Sequence, residues 1–142
     1  MTDVHNKNTR SFNMSRIKGL DTKPELLVRK CLHGKGLRYS LHNKSLPGKP
    51  DLCFKKYMKV LFINGCFWHG HNNCKYFKLP ATRTEWWKNK IEATRERDKR
   101  KIEELDDLGW NSLIVWECDL KPQKREQTLN SIYLSVTKGE GL

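Results

Sequence analysis

The residues with the most distinctive chemistry are sulfur and nitrogen ligands in the segment from Gly65 to Pro80. Cys66, His71 and Cys74 lie within a stretch of nine residues, and Cys118 follows a later apolar segment. Four ligands of this kind suit a tetrahedral zinc ion, and a site closed by four protein ligands is structural rather than catalytic. The spacing therefore predicts structural Zn²⁺. The alternative is that these residues are ordinary buried thiols and a surface histidine.

A second group contains acidic residues and a histidine that could act on phosphates. Asp51 follows a proline at the start of a short strand, where a carboxylate can bind Mg²⁺ or simply cap a turn. Asp98 lies on the apolar stripe of a long helix, where a carboxylate needs a partner. That partner could be His69, in an acid–base pair, or one of the abundant Lys and Arg residues. Glu25 suits either a catalytic site or a capping box with Thr22.

Two pairs of adjacent aromatic residues accompany these groups. Phe67 and Trp68 lie in the ligand-rich loop, and Trp86 and Trp87 lie at the start of the long helix. Aromatic side chains on a rigid loop can enter between base pairs and unstack them. They can equally fill a small core around a metal ion, and the sequence favours neither role.

The elements that must position these residues are predicted from apolar periodicity and from glycine and proline. We expect one domain over residues 21–142, preceded by a basic arm over residues 1–20 that contacts DNA. A strand–helix–strand crossover predicts an α/β fold with a mixed central β-sheet flanked by helices. The expected helices cover about 22–34, 84–108 and the segment around 129–136, and the expected strands cover 37–41, 51–54, 58–64 and 113–116.

The overall composition excludes several classes of protein. Lys and Arg number 28 against 16 Asp and Glu, so the formal net charge is +12, which favours nucleic acid over an anionic membrane as the partner. No segment approaches the ~20 apolar residues of a membrane span, and the first residues are polar. Five cysteines without an export signal indicate metal binding or burial rather than disulfides. We expect a soluble, cytoplasmic protein that associates with the nucleoid.

Several motifs together resemble those of the very short patch repair (Vsr) DNA mismatch endonucleases. They are Gly65-Cys-Phe-Trp-His69, Pro47-Gly-Lys-Pro-Asp51, Pro80-Ala-Thr-Arg-Thr-Glu-Trp-Trp87, Glu96-Arg-Asp98 and Val115-Trp-Glu-Cys118. The resemblance covers nearly the whole chain, in the same order. It implies a core like that of type II restriction endonucleases, and Mg²⁺-dependent nicking of one strand 5′ of the thymine in a T·G mismatch. Such mismatches arise when 5-methylcytosine deaminates.

The resemblance also implies a role for each matching residue. Asp51 would bind Mg²⁺ with the backbone carbonyl of Ile63, and Glu25 would hold water bound to the metal. His69 would be the acid–base residue, oriented by Asp98. The implied zinc ligands are Cys66, His71, Cys74 and Cys118, and the implied DNA-intercalating residues are Phe67, Trp68, Trp87 and Met14.

The sequence departs from the family pattern at two places. Asn64 stands where the best-known family member has an active-site histidine, so we expect Asn64 to act by hydrogen bonding and His69 to be the only titrating histidine of the site. The zinc loop is one residue longer before Cys74. Two alternatives stay open: a restriction-associated nicking endonuclease with weak mismatch preference, and a non-catalytic, zinc-stabilised DNA-binding module. We expect a monomer that acts on double-stranded DNA.

Overall fold

The computed structural model describes residues 22–138, which form one sheet with helices on both faces. The helices are α1 (Lys23–Gly34), α2 (Thr84–Asp107) and α3 (Arg125–Lys138). The strands are β1 (Ser40–Leu41), β2 (Leu52–Phe54), β3 (Lys59–Asn64) and β4 (Asn111–Trp116). Short 3₁₀ turns follow β2 and β4, at Lys55–Tyr57 and Glu117–Leu120. Within this part of the chain, no helix is both long and apolar enough to cross a membrane.

The sheet combines antiparallel and parallel pairing. Its strands lie in the order β1-β2-β3-β4; the first three pair antiparallel, and β3 pairs parallel with β4 in a register that sets Asn64 beside Trp116. A parallel pair needs a crossover connection, which here contains the long helix α2. The predicted α/β architecture with a mixed sheet and flanking helices is therefore confirmed. Because β3 and β4 run parallel, their carboxyl ends meet at one edge of the sheet.

Apolar residues form a separate core on each face of the sheet. On one face, Leu61 of β3 packs in a cluster with Val28 of α1 and Ile132 of α3. On the other face, Val60 packs in a cluster with Leu105 of α2. Val60 and Leu61 are both fully buried, so β3 is continuously apolar rather than alternating, as the sequence predicts for a strand covered on both faces.

Three local features differ from the expectations. Thr22 precedes α1, but its side chain makes no capping hydrogen bond, and Glu25 is buried and bonds within the site described below. The first strand covers only Ser40 and Leu41, because the short β2 pairs with these two residues alone. The helix α2 ends at Asp107, one residue before its predicted end, and the chain turns at Gly109, where φ is +90°.

Candidate active site and metal centre

A cleft opens at the edge of the sheet where β3 ends. Its cavity of about 730 Å³ is bordered by the first turn of α1, the loop before β2, the end of β3 and one side of α2. Asp51, Asn64 and His69 all line it. Three basic residues also line it: Lys49, Lys90 and Arg97. The cleft therefore brings carboxylate, imidazole and positive charge together, and the positive charge suits a phosphate backbone.

Asp51 is held in this cleft by the end of β3. Its Oδ2 accepts a hydrogen bond from the backbone N–H of Ile63 at 2.7 Å. Burial raises the pKa of Asp51 from 3.8 to about 6; the Ile63 N–H opposes this rise, and the Glu25 carboxylate adds to it. A bound cation would favour the ionised carboxylate and so offset the cost of burial. The Mg²⁺-binding role of the Ile63 carbonyl stays a prediction.

Glu25 lies beside Asp51 and is only 2% exposed. His42 Nε2 is 2.9 Å and 3.0 Å from the two Glu25 carboxylate oxygens, and Arg29 donates to Oε2 at 3.1 Å. The donor atoms of Glu25, His42 and Asp51 all lie within 4.8 Å of one another. Two carboxylates and an imidazole at this spacing can hold a divalent cation.

Sequence reasoning misses His42. This residue follows the two-residue strand β1, and its N–H donates to the Asp51 carbonyl at 3.1 Å. Only the β1–β2 register brings the two residues together, and no local pattern in so short a strand indicates that register. The structure thus places a second histidine against the carboxylates of the site, and the expectation that His69 is its only titrating histidine stays a prediction.

His69 and Asp98 form a hydrogen-bonded pair at the same cleft. His69 Nδ1 lies 2.6 Å from Asp98 Oδ2. Asp98 is seven residues from both Ile91 and Leu105, which are buried, so all three share one face of α2. The sequence left either His69 or a basic residue as the partner of Asp98, and the structure shows the contact with His69. Because the carboxylate engages Nδ1, Nε2 is the ring nitrogen left to exchange a proton.

Asn64 ends β3 and is 7% exposed. It lines the main cavity and also a smaller one of about 80 Å³, which His69 and Asp98 line as well. An amide at this position can donate and accept hydrogen bonds but does not titrate. Asn64 is therefore close enough to His69 and Asp98 to influence their proton transfer, although its own amide exchanges no proton.

The four predicted zinc ligands come together next to this cleft. The ligand atoms of Cys66, His71, Cys74 and Cys118 lie within 4.8 Å of one another, and Cys118 Sγ is 3.5 Å from His71 Nδ1. Cys66 follows β3 and Cys118 follows β4, so the parallel pair brings both thiols to one edge. Burial raises the pKa of the Cys66 thiol to about 12, and a divalent metal would instead stabilise the thiolate. Three thiols and an imidazole fit a tetrahedral metal ion.

The ring of His71 is fixed by stacking. It lies parallel to the Trp116 ring, with centroids 4.0 Å apart and an interplanar angle of 6°. Trp116 is the last residue of β4. The rigid sheet therefore sets the orientation of an imidazole that reaches the three thiols from an irregular loop.

The aromatic residues form a cluster on the same loop. Phe67, Trp68 and Trp87 pack against one another with ring centroids 5.2 to 5.9 Å apart, and each is half-buried. Trp86 is more exposed, at 45%, and the guanidinium of Arg83 lies over its ring. The cluster is thus neither fully exposed nor a closed core. Met14, the fourth intercalating residue implied by the resemblance, lies outside residues 22–138, as does the arm.

Arg95 of α2 ties the loop to the helix. Its Nε donates to the Gly70 carbonyl at 3.0 Å, and its Nη2 donates to Asn72 Oδ1 at 3.0 Å. Gly70 has a φ of +60°, and a Cβ placed there would lie 2.5 Å from Ile91 Cγ2 and 2.6 Å from Arg95 Nε. The contact therefore requires glycine, and it fixes the residue next to His69. Nothing in the sequence around Gly70 or Arg95 indicates this contact.

Comparison with known proteins identifies the family of this chain. The sequence model of the family described as DNA mismatch endonuclease Vsr matches residues 2–75. The chain is 49% identical over 125 residues to the DNA mismatch endonuclease Vsr of Escherichia coli, covering 88% of this chain and 80% of the relative. It is 45% identical over 120 residues to the type II nicking enzyme V.XorIIP of Xanthomonas oryzae, covering 84% and 88%.

A further relative has a similar name and similar coverage. The chain is 45% identical over 121 residues to the type II nicking enzyme V.NmeAIP of Neisseria meningitidis, covering 85% of this chain and 86% of the relative. The alignments thus span most of the chain and most of each relative. The chain therefore belongs to the Vsr family of DNA mismatch endonucleases.

Proposed function

We propose that this endonuclease nicks one strand of double-stranded DNA, 5′ of the thymine in a T·G mismatch, in a Mg²⁺-dependent reaction. One observation carries the proposal: a single cleft, lined in part by basic residues, contains the Asp51 and Glu25 carboxylates together with His69. Carboxylates that suit a cation and a histidine that suits proton transfer are what phosphodiester hydrolysis needs. The relatives named nicking enzymes support cleavage of one strand.

The cation-binding residues would be Asp51 and the backbone carbonyl of Ile63, with Glu25 close by. When bound, Mg²⁺ stabilises the negative charge that develops on the scissile phosphate. Asp51 is already fixed by the Ile63 N–H, and Glu25 by Arg29. The carboxylates are thus preorganised, which reduces the rearrangement required when substrate and cation arrive.

Proton transfer would fall to His69. Asp98 holds its Nδ1 and so leaves Nε2 to exchange a proton with the attacking water or the leaving oxygen. Asn64 would contribute hydrogen bonding in place of a second acid–base group. The basic side chains of Lys49, Lys90 and Arg97 would bind DNA phosphates along the cleft.

Mismatch detection would depend on the aromatic cluster. Phe67, Trp68 and Trp87 would enter the base stack beside the thymine, with Met14 inserting from the arm. Unstacking costs least at a mismatched base, so aromatic insertion favours a mismatch over a matched pair. The packing of the three rings on one another supports this role, because it holds them ready as one rigid unit.

The remaining assignments concern the scaffold. Zn²⁺ bound by Cys66, His71, Cys74 and Cys118 would fix the loop that carries His69 and the aromatic residues. We assign the mixed sheet to the core of the type II restriction endonucleases, as the family resemblance implies. We expect a monomer that acts on chromosomal DNA in the cytoplasm.

The test compares two labelled duplexes that differ only in one pair, T·G or C·G, each incubated with enzyme and Mg²⁺ and resolved on a denaturing gel. We expect a single nick 5′ of the thymine in the T·G duplex. Asp51→Asn should abolish nicking, because the variant lacks one metal ligand. Its affinity for DNA should stay nearly intact, because every basic residue is kept. Similar nicking of both duplexes would favour the restriction-associated alternative. Binding without nicking would favour the non-catalytic module, against which family membership already argues.

A further inference from the structure

His42 adds a nitrogen donor to the carboxylate pair of the cleft. Its side chain is 14% exposed, and its Nε2 lies 2.9 Å from Oε1 and 3.0 Å from Oε2 of Glu25. The donor atoms of His42, Glu25 and Asp51 all lie within 4.8 Å of one another. The catalytic scheme above gives this histidine no direct part in the reaction.

The backbone holds His42 against the site. Its N–H donates to the Asp51 carbonyl at 3.1 Å, directly beyond the β1–β2 ladder. Its φ of +47° lies in the left-handed region, which residues with a Cβ seldom adopt. The hydrogen bond to Asp51 helps to maintain this conformation.

The spacing of the donor atoms suits a shared cation. An octahedral ion with bonds of about 2.1 Å sets neighbouring ligand atoms roughly 3.0 Å apart. The 2.9 Å between His42 Nε2 and Glu25 Oε1 matches such an edge. Arg29 donates to Oε2 of Glu25, and Oε1 is the oxygen at this 2.9 Å spacing from the imidazole.

We propose that His42 and Glu25 bind the catalytic cation directly, together with Asp51, so that Glu25 is a ligand rather than a residue that only holds metal-bound water. The nitrogen of His42 then makes the site prefer Mn²⁺ to Mg²⁺. Mg²⁺ is bound mainly through carboxylate oxygens and keeps several waters, whereas imidazole suits first-row transition metals. The inference rests on the proposed function only in taking this cluster as the site of the catalytic cation.

A ligand and a positioning residue predict different metal dependences. If His42 only held Glu25 in place, its loss would weaken the binding of every divalent cation by a similar factor. If His42 is itself a ligand, its loss weakens Mn²⁺ binding more than Mg²⁺ binding, because an imidazole nitrogen stabilises a first-row transition metal more than it stabilises Mg²⁺. The ratio of the two affinities therefore separates the two roles.

The experiment measures cation binding to the full chain without DNA, by calorimetry and by pulsed EPR of bound Mn²⁺. The variants are His42→Gln and His42→Asn, whose amides can still hydrogen-bond Glu25, and His33→Gln, an exposed histidine of α1, is the matched control. Asp51→Asn identifies the Mn²⁺ that is bound at this site. Thermal unfolding of each variant verifies that it is folded.

We expect the wild-type protein and His33→Gln to show ¹⁴N coupling to Mn²⁺, and both His42 variants to lose it. The ratio of Mn²⁺ to Mg²⁺ affinity should fall at least tenfold in the His42 variants. An unchanged ratio, or ¹⁴N coupling that survives in folded His42→Gln, would overturn the proposal. Nicking of a T·G duplex is scored separately, so a failure of the proposed function would leave the binding result intact.

Discussion

Replacing Asp51 with asparagine should stabilise the protein while it abolishes nicking. Burial raises the pKa of this carboxyl from 3.8 to about 6. The folded protein therefore holds the proton more tightly than the unfolded chain, and stability is lost as the pH rises through this range. Asparagine is neutral at every pH and can still accept the Ile63 N–H. The variant thus retains the hydrogen bond without the cost of a buried charge.

The magnitude follows from the size of the pKa shift. A shift of about two units corresponds to roughly 3 kcal/mol when Asp51 is fully ionised in the folded state, as it is near pH 8. About half of this cost remains near pH 5, where only the unfolded chain is largely ionised. The Asp51→Asn variant should therefore be more stable than wild type by up to about 3 kcal/mol near pH 8, and by about half as much near pH 5.

The assay is urea unfolding followed by tryptophan fluorescence, at both pH values and without added Mg²⁺. The matched control is Asp106→Asn, an exposed aspartate near the end of α2, which should show no comparable pH-dependent gain. If Asp51→Asn were no more stable than wild type near pH 8, or gained equally at both pH values, the argument that Asp51 is a costly buried charge would be refuted.

Three further predictions concern the loop and the acid–base pair. Cys118→Ser should retain less than one equivalent of zinc by elemental analysis and lower the urea midpoint of unfolding, because structural zinc contributes to folding; a full equivalent would contradict the ligand assignment. His69→Ala should slow single-turnover nicking of a T·G duplex by at least ~10²-fold, and Asn64→Ala by less; the reverse order would show that their roles are exchanged. Gly70→Ala should lower the free energy of unfolding by about 1–3 kcal/mol, measured in urea, because its Cβ would overlap neighbouring side chains; an unchanged value would mean that the loop shifts freely.

The parts of the fold and site that the sequence predicts are those encoded by repeated or closely spaced residues. The helix α2 and strand β3 follow from long apolar patterns, and the cysteine and histidine spacing predicts the four residues that the structure brings together as possible metal ligands. Asp98 could be singled out because it falls midway between Ile91 and Leu105 on one helical face, where a carboxylate is unexpected. The sequence leaves two kinds of partner open for this carboxylate, and His69 is one of them.

The features that sequence reasoning misses all depend on contacts between distant segments. His42 meets Glu25 and Asp51 only because a two-residue strand pairs in one particular register. The Arg95 contact with Gly70 depends on how an irregular loop lies across α2. Neither contact leaves a periodic trace in the chain, since each joins single residues through the tertiary fold.

The parallel pairing of β3 with β4 also bears on the order in which the enzyme matures. The two strands are joined only after the whole of α2 has been made and folded back, and such non-local pairing forms slowly. Cys118 and Trp116 reach the metal cluster only at that stage, and they complete and orient the loop that carries His69. A partly folded chain would therefore carry positive charge that can bind DNA nonspecifically, but it would lack the assembled site needed to cut. The topology thus links the ability to cut DNA to the pairing of two strands that are distant in the chain.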